Sequence, residues 1–450
     1  MAIKIDGTTV ITDAKQLANI ASLDATTLSA VSTGLGGAFS PTLLHTLDNP
    51  NVYSTGVDDD FGYSLASDGK YLAVAAKENT SAGVNVGVIY VYNILNGGLL
   101  HIIQSPVNQA SEFFGLTLDI SGNWLITGVW LNDTTGTDSG RAYIYNLTTG
   151  ALHKTLENPN AYDTTAGDKF GSSVGISGNY AIVGAYEEDD ANGTSSGKAY
   201  IFNIVTGTLV HTLDNPNAYG TSAGDNFGNA GDISGNYAIV GAPGEDDANG
   251  GSSGKAYIFN VSTGALVHTL NNPNPYGTST NDNFATTAAI SGNYAIVGAW
   301  GEDEAGGTSS GKAYIYNVST GALVHTLNNP NAYGTVVSDY FGEKVDISGN
   351  YAIVNAPFED DSDGTSSGKA YIYNVSTGAL VDTLDNPNAY GTSTSDTFGN
   401  RVSISGNYAA VGAYQEDDSS ASSTGKVYVY SLVDPAVTSF VSREMLHAIA

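Results

Sequence analysis

A Phe-Gly pair, once Phe-Ala, recurs along the chain at Phe61, Phe114, Phe170, Phe227, Phe284, Phe341 and Phe398. The intervals are 53, 56, 57, 57, 57 and 57 residues. Self-similarity at a fixed period of this size means an array of supersecondary units, and it overrides the division into about three domains that 450 residues would suggest by length.

The fourth unit, Asp225 to Pro273, reads as four strands joined by turns. NAGDIS ends at Ser234, and a tight Ser234-Gly235-Asn236 turn leads into YAIVGA, Tyr237 to Ala242. That second run is apolar on both faces, as a strand buried between neighbouring sheets would be. The acidic loop GEDDANGGSSG leads to KAYIFN, in which Ala256 and Ile258 share one face and Tyr257 and Phe259 the other. VSTG then turns into ALVHTL, Ala265 to Leu270, and NNPNPYGTSTND returns to the next unit. Four antiparallel strands repeated seven times predict an all-β, seven-bladed β-propeller over residues 41–433. The seventh unit reaches its third strand at Lys426–Tyr430 and lacks an HTLDNP strand, whereas LLHTLDNP, Leu43 to Pro50, precedes the first Phe-Gly. The N-terminal strand is therefore expected to complete the last blade and close the ring, which leaves no gap for the array to unzip.

Composition agrees with this and excludes several functions. Gly at 55, Tyr at 28 and Met at 2 suit short strands and tight turns. There is no Cys, so disulfides, thiolate metal sites and thiol nucleophiles are excluded. A formal charge of −30 repels phosphate backbones, which argues against nucleic acid as a partner. No apolar run reaches the length of a membrane-crossing helix, and MAIKIDGTTV lacks the charged and apolar regions of a secretory signal, so neither insertion nor a signal peptide is expected.

Two segments stand outside the array. Residues 1–40 begin with IKIDGTTVI, which alternates like one half-buried strand, and continue with a stretch whose Leu17, Ile20, Leu23 and Leu28 suit a helix. STGLGGAFSP then reads as a linker. In residues 434–450, Val437, Phe440, Val441, Met445 and Ile449 could share one helical face, docked on the propeller or offered to a partner.

The FG…GNYAIVGAP…GKAYIY pattern over residues 43–431, clearest in Phe227-Gly228 with Gly241-Ala242-Pro243, resembles the FG-GAP repeat proteins, a propeller class that includes integrin alpha-subunit heads. The resemblance implies adhesion or recognition rather than catalysis, at an extracellular or bacterial cell surface. The integrin units carry a D-x-D-x-D-G calcium loop before the VGAP strand, where this chain has only ISGNY. MAIKIDGTTVITDAKQLANIASLD is similar to the start of tail-fibre and related virion proteins of marine tailed phages. That second resemblance implies a virion component with Ile3, Ile5, Val10, Leu17 and Ile20 in the attachment segment, other virion proteins as its partners, and a host-surface glycan or protein as the target of its head. A homo-oligomer and a monomer both stay open.

In a propeller the fourth-to-first and second-to-third connections lie on one face. Here these are the long ones, and long loops on a rigid scaffold are where binding sits. One feature of that face is a ring of acids, including Glu188, Glu245, Glu302, Glu359 and Glu416 with the Asp residues after them. It reads as a solvated rim or, where Asp360, Asp361 and Asp363 precede Gly364, as a place for calcium, the one cofactor under consideration. The other is a variable position after the second strand: Lys77, Trp130, Tyr186, Pro243, Trp300, Pro357 and Tyr414. With Tyr162, Tyr219, Tyr333 and Tyr390 it offers aromatic faces beside carboxylates, as a sugar surface would, or else inter-blade packing. The Asp two residues before most Phe-Gly pairs is expected to hold backbone N–H groups in a turn. Histidines at one repeat position, His45, His101, His153, His211, His268 and His325, are expected to be scaffold. No Walker loop, H-E-x-x-H or isolated Ser-His-Asp set points to catalysis. The acids leave a glycan hydrolase as a minor alternative.

Overall fold

The computed structural model describes residues 3–5, 8–11, 40–51, 59–79, 85–160, 165–191, 193–216, 222–247, 251–273, 280–303, 308–330, 337–361, 364–387, 394–417 and 424–432. Among them, seven four-stranded antiparallel sheets follow one another along the chain. In the fourth blade the strands are Ala230–Ser234, Tyr237–Ala242, Lys255–Asn260 and Leu266–Asn271, hydrogen-bonded in that order. The seventh blade takes Arg401–Ser405, Tyr408–Ala413 and Lys426–Ser431, and its outer strand is Thr42–Asp48. Thr42 lies opposite Ser431 and Asp48 opposite Lys426, so the ring closes as the sequence predicts.

The first strand of each blade is innermost. Phe61–Ser67, Thr117–Ser121, Phe170–Ser177, Ala230–Ser234, Ala288–Ser291, Val345–Ser348 and Arg401–Ser405 pack side by side, the last against the first. The alternation of each third strand fills two different seams. Ala256 and Ile258 pack toward blade five, while Tyr257 and Phe259 pack toward blade three. The Phe of each Phe-Gly pair is fully buried and serves as an aromatic wedge between blades. Phe227 meets Tyr257 at 5.8 Å and Phe259 edge-on at 5.9 Å, both in its own blade, and its N–H donates to the Ser196 carbonyl of the preceding blade at 3.0 Å. The following glycine is required. Gly228 has φ of +94°, and a Cβ there would stand 2.2 Å from the Lys198 carbonyl oxygen.

Two expectations change. IKIDGTTVI forms two strands, Ile3–Ile5 and Thr8–Ile11, paired antiparallel, not one. The Asp6-Gly7 dipeptide is the hairpin signal that the alternation concealed. The fourth strand of blade four starts at Leu266 rather than Ala265. The helical readings around Leu17, Ile20, Leu23 and Leu28 and across residues 434–450 fall outside the described residues. Among the described residues no helix is long and apolar enough to cross a membrane.

Candidate recognition face

Except for the second-to-third loops of blades one and two, the long-loop connections are built on buried acids. In blades three to seven the loop glutamate that precedes the Asp, Glu188, Glu245, Glu302, Glu359 or Glu416, is fully buried, not part of a solvated rim. Its carboxylate accepts from the tyrosine hydroxyl of the third strand: Glu188 from Tyr200 at 2.7 Å, Glu359 from Tyr371 at 2.5 Å, Glu416 from Tyr428 at 2.8 Å, and likewise Glu245 from Tyr257 and Glu302 from Tyr314. Burial pushes the Glu188, Glu302 and Glu359 carboxyls up to about 7, against the opposing pull of that hydroxyl. The next acid folds the loop back on itself. Asp189, Asp246, Asp303 and Asp360 each accept from the N–H of a serine six residues on, at 2.8–2.9 Å.

The Asp before Phe-Gly closes the other long connection, but through side chains rather than only backbone. Asp225 Oδ2 accepts from Asn215 Nδ2 at 2.8 Å, and Asp168, Asp282, Asp339 and Asp396 accept from the asparagine ten residues earlier in the same way. In blades one and two the loop Glu is replaced by Asn79 and Asn132, which donate to Asp59 and Glu112. In blades three to seven both places are acids, and in blades four and seven, after burial, the Glu245 and Glu416 charges raise Asp225 and Asp396 to about 7.

The calcium candidates Asp360 and Asp361 spend an oxygen each on the N–H groups of Ser366 and Gly364, at 2.9 and 2.8 Å. Asp363 lies outside the described residues. Among the described residues no group of three or more acids and histidines is arranged to hold a metal ion. The ISGNY segments are tight turns, as where Ser234 lies directly opposite Tyr237, so they do not fit a cation loop.

In blades two and five the aromatic after the second strand, Trp130 or Trp300, meets the residue before Phe-Gly of the next blade, and this pairing was not evident in the sequence. Trp300 packs on Tyr340 at 4.9 Å, and Phe358 meets Tyr340 edge-on at 5.2 Å. Beside them Val337, Ser338, Tyr340, Phe358, Asp360 and Ser366 line a surface pocket of about 360 Å³. Trp130 and Tyr186 flank Lys169, whose Nζ is 4.9 and 5.8 Å from the two rings. Tyr414 meets Tyr63 edge-on at 5.7 Å. All four predicted aromatics that are described are half-buried on this face, each against a neighbouring side chain. Tyr219 and Tyr333, with Tyr162 and Tyr390, lie outside the described residues, and the side chains of Ile3, Ile5 and Val10 are likewise not described.

The histidines are scaffold. Nε2 of His101 donates to the Leu147 carbonyl at 2.8 Å and that of His268 to Ser319 at 3.1 Å, each joining a fourth strand to the next blade's turn. A carbonyl can only accept, so this nitrogen carries the proton. Nε2 of His211 is buried without such a partner.

The central channel has a volume of about 270 Å³ and is lined by the inner strands of all seven blades. Asp119, Asp232 and Asp346 occupy one repeat position in alternate blades. Each accepts from its own strand and from the next blade: Asp232 from Ile233 N–H at 2.7 Å and Ile290 N–H at 2.8 Å. Asp119 and Asp346 do the same with Ile176 and Ile404 at 2.6 and 2.7 Å. Burial raises the Asp232 carboxyl to about 6 and the Asp346 carboxyl to about 7. The signal was in the repeat alignment, as an acid every second unit.

A closed propeller with buried structural acids and an aromatic-lined loop face belongs to a class that is generally non-enzymatic, of adhesion or scaffold type. The FG-GAP repeat model matches residues 105–145, 160–202, 217–259, 275–316, 332–373 and 388–430, together more than half of the chain, and the chain belongs to that family. No curated protein matches it.

Proposed function

We propose that the protein is a non-enzymatic recognition module that presents its long-loop face to a glycan-bearing surface while the segments flanking the ring hold it in place. One observation carries this reading. The outer strand Thr42–Asp48 starts, and the third strand Lys426–Ser431 ends, at the face of the short turns, where Leu432 N–H meets the Asn407 carbonyl at 2.7 Å. A tether on either flank therefore leaves the opposite face free. Toward that free face cluster departures of blade six from the repeat, Val337, Tyr340, Glu343, Lys344 and Phe358, with the buried Asn355 beneath them, while its third strand keeps the common KAYIYN. An aromatic pocket with hydroxyl and carboxylate groups at its rim suits a pyranose, whose C–H face packs on a ring while its hydroxyls find acceptors.

A glycan array probed with the full chain tests this. Binding is expected, and Trp300→Ala and Tyr340→Ala are expected to weaken it about tenfold. Binding unchanged in both variants would remove the pocket from the reading. The same display geometry serves a tail-fibre-associated virion protein, which the N-terminal resemblance favours, and a bacterial surface adhesin. Antibody labelling of phage particles and of cell surfaces separates the two. Shortened glycan products after incubation would overturn the non-enzymatic assignment.

A further inference from the structure

Two residues after the glycine of Phe-Gly, or the alanine in blade five, five blades carry a small side chain: Ser64, Thr117, Ser173, Ala230 and Thr287. Thr117 and Ser173 use the place to donate to the next blade's backbone, at the Gly171 and Gly228 carbonyls, 2.9 and 2.8 Å away. Blades six and seven break this rule together, with Lys344 and Arg401. Neighbouring, packed inner strands therefore carry a cation at the same repeat position, one residue before Val345 and Val402, with which the channel lining begins on the long-loop side. Arg401 reaches blade one. Its guanidinium lies 4.6 Å from the Tyr63 ring centre, and Nη1 donates to the Asn400 carbonyl and side-chain oxygens at 2.9 and 2.7 Å.

The chain has 45 acids and 15 Lys and Arg, so an unpaired cation is costly to explain and two adjacent ones more so. The other described cations of this face are neutralised. Lys77 pairs with Asp60 at 2.6 Å and Glu78 at 2.7 Å, and Lys169 with Glu187 at 3.1 Å. Among the described residues, no carboxylate lies within ion-pair distance of Lys344 or Arg401. Burial, and then the Arg401 charge, lower the Lys344 ammonium to about 8 despite nearby Glu343. Beside Lys344, Asn355 stands where blades two to five and seven have glycine. Its Oδ1 accepts from the Lys344 N–H at 2.6 Å, and its buried Nδ2 is a donor without an acceptor. Lys344, Arg401 and Asn355 thus each bring donors to neighbouring places in blades six and seven, beside Glu343, whose Oε2 is also buried without a partner.

We infer that Lys344 and Arg401 form an anion subsite at the long-loop mouth of the channel, which takes the carboxylate or sulfate of an acidic sugar. This rests on the glycan reading above. A planar guanidinium beside an ammonium suits an oxyanion, and the ligand supplies the charge that the fold withholds. The aromatic pocket of blades five and six would then select the ring, and this pair its acidic substituent.

Two measurements test it with the full chain. In the first, inorganic sulfate replaces chloride at matched ionic strength and thermal unfolding is followed. Sulfate is expected to raise the wild-type midpoint by more than that of the Lys344→Gln/Arg401→Gln protein, with Lys154→Gln behaving as wild type. An equal rise in all three would overturn the anion site. In the second, an array carries uronic, sulfated and neutral forms of the same backbones. Acidic forms are expected to bind about tenfold or more tightly than neutral ones. The double variant should lose that preference and keep its neutral binding, and either single variant should lose part of it. A preference that survives the double variant would overturn the inference. If no glycan binds, the recognition reading fails, and the sulfate result alone decides whether the anion site stands.

Discussion

At the scale of the residue, the repeat exposes its own strain. Six blades place glycine after the wedge Phe, at φ between +84° and +96°, but blade five has Ala285 at φ +70°. A left-handed L-residue costs about 1–2 kcal/mol. Ala285→Gly should therefore stabilise the protein by about 1 kcal/mol after the entropy of the unfolded glycine is subtracted, seen as a higher urea midpoint. Gly228→Ala should move the midpoint the other way and further, by about 2 kcal/mol or more, because its Cβ would meet a backbone carbonyl that cannot move alone. The buried Glu–Tyr pairs were misread for a related reason. Consecutive acids usually lie in water, so EDD suggests a rim. The informative residue was Tyr257 at an inward position of the third strand, since a buried phenol needs a partner for its hydroxyl.

At the scale of the element, the outer strand Thr42–Asp48 covers the third strand of blade seven. A chain lacking residues 1–51 should expose Lys426–Ser431 as a bare edge, melt at lower temperature and self-associate. A synthetic peptide spanning residues 41–50 should restore both properties, as measured by calorimetry and light scattering. Failure of the peptide to bind would mean that covalent continuity, not the strand itself, is what closes the ring. This closure was legible because the missing piece of one repeat lay in plain view at the other end of the array. The strands were legible because burial on both faces leaves continuous apolar runs. The candidate site was legible only in half. Trp300 and Tyr414 stood out as variable positions, but their partners Tyr340 and Tyr63 belong to the next repeat. Nothing along the chain joins Trp300 to a residue 40 positions later until the blades stand in a ring.

At the scale of the whole molecule, the raised carboxyls act together. Glu188, Glu302, Glu359, Asp225, Asp346 and Asp396 titrate near 7 and Asp232 and Asp282 near 6, against about 4 in an unfolded chain. The folded state holds more protons between those limits. Its extra stability is complete below about pH 4 and is lost as pH rises to about 7. The melting temperature should therefore fall from pH 5 to pH 8. Repulsion within a chain of formal net charge −30 acts in the same direction, but salt screens its surface part, so a fall that persists in high salt belongs to the buried acids. A flat profile in high salt would contradict their raised values. The closing strand also sets an order of events. Residues 42–48 are synthesised long before residues 426–431, the strand they pair with in the seventh blade. For most of translation the earlier strand must wait unpaired while six blades form beside it, and the ring can lock only when the seventh has left the ribosome. Chains stalled before residue 426 should be cut by protease within residues 40–51, and released chains should resist, so protection there times the completion of the fold.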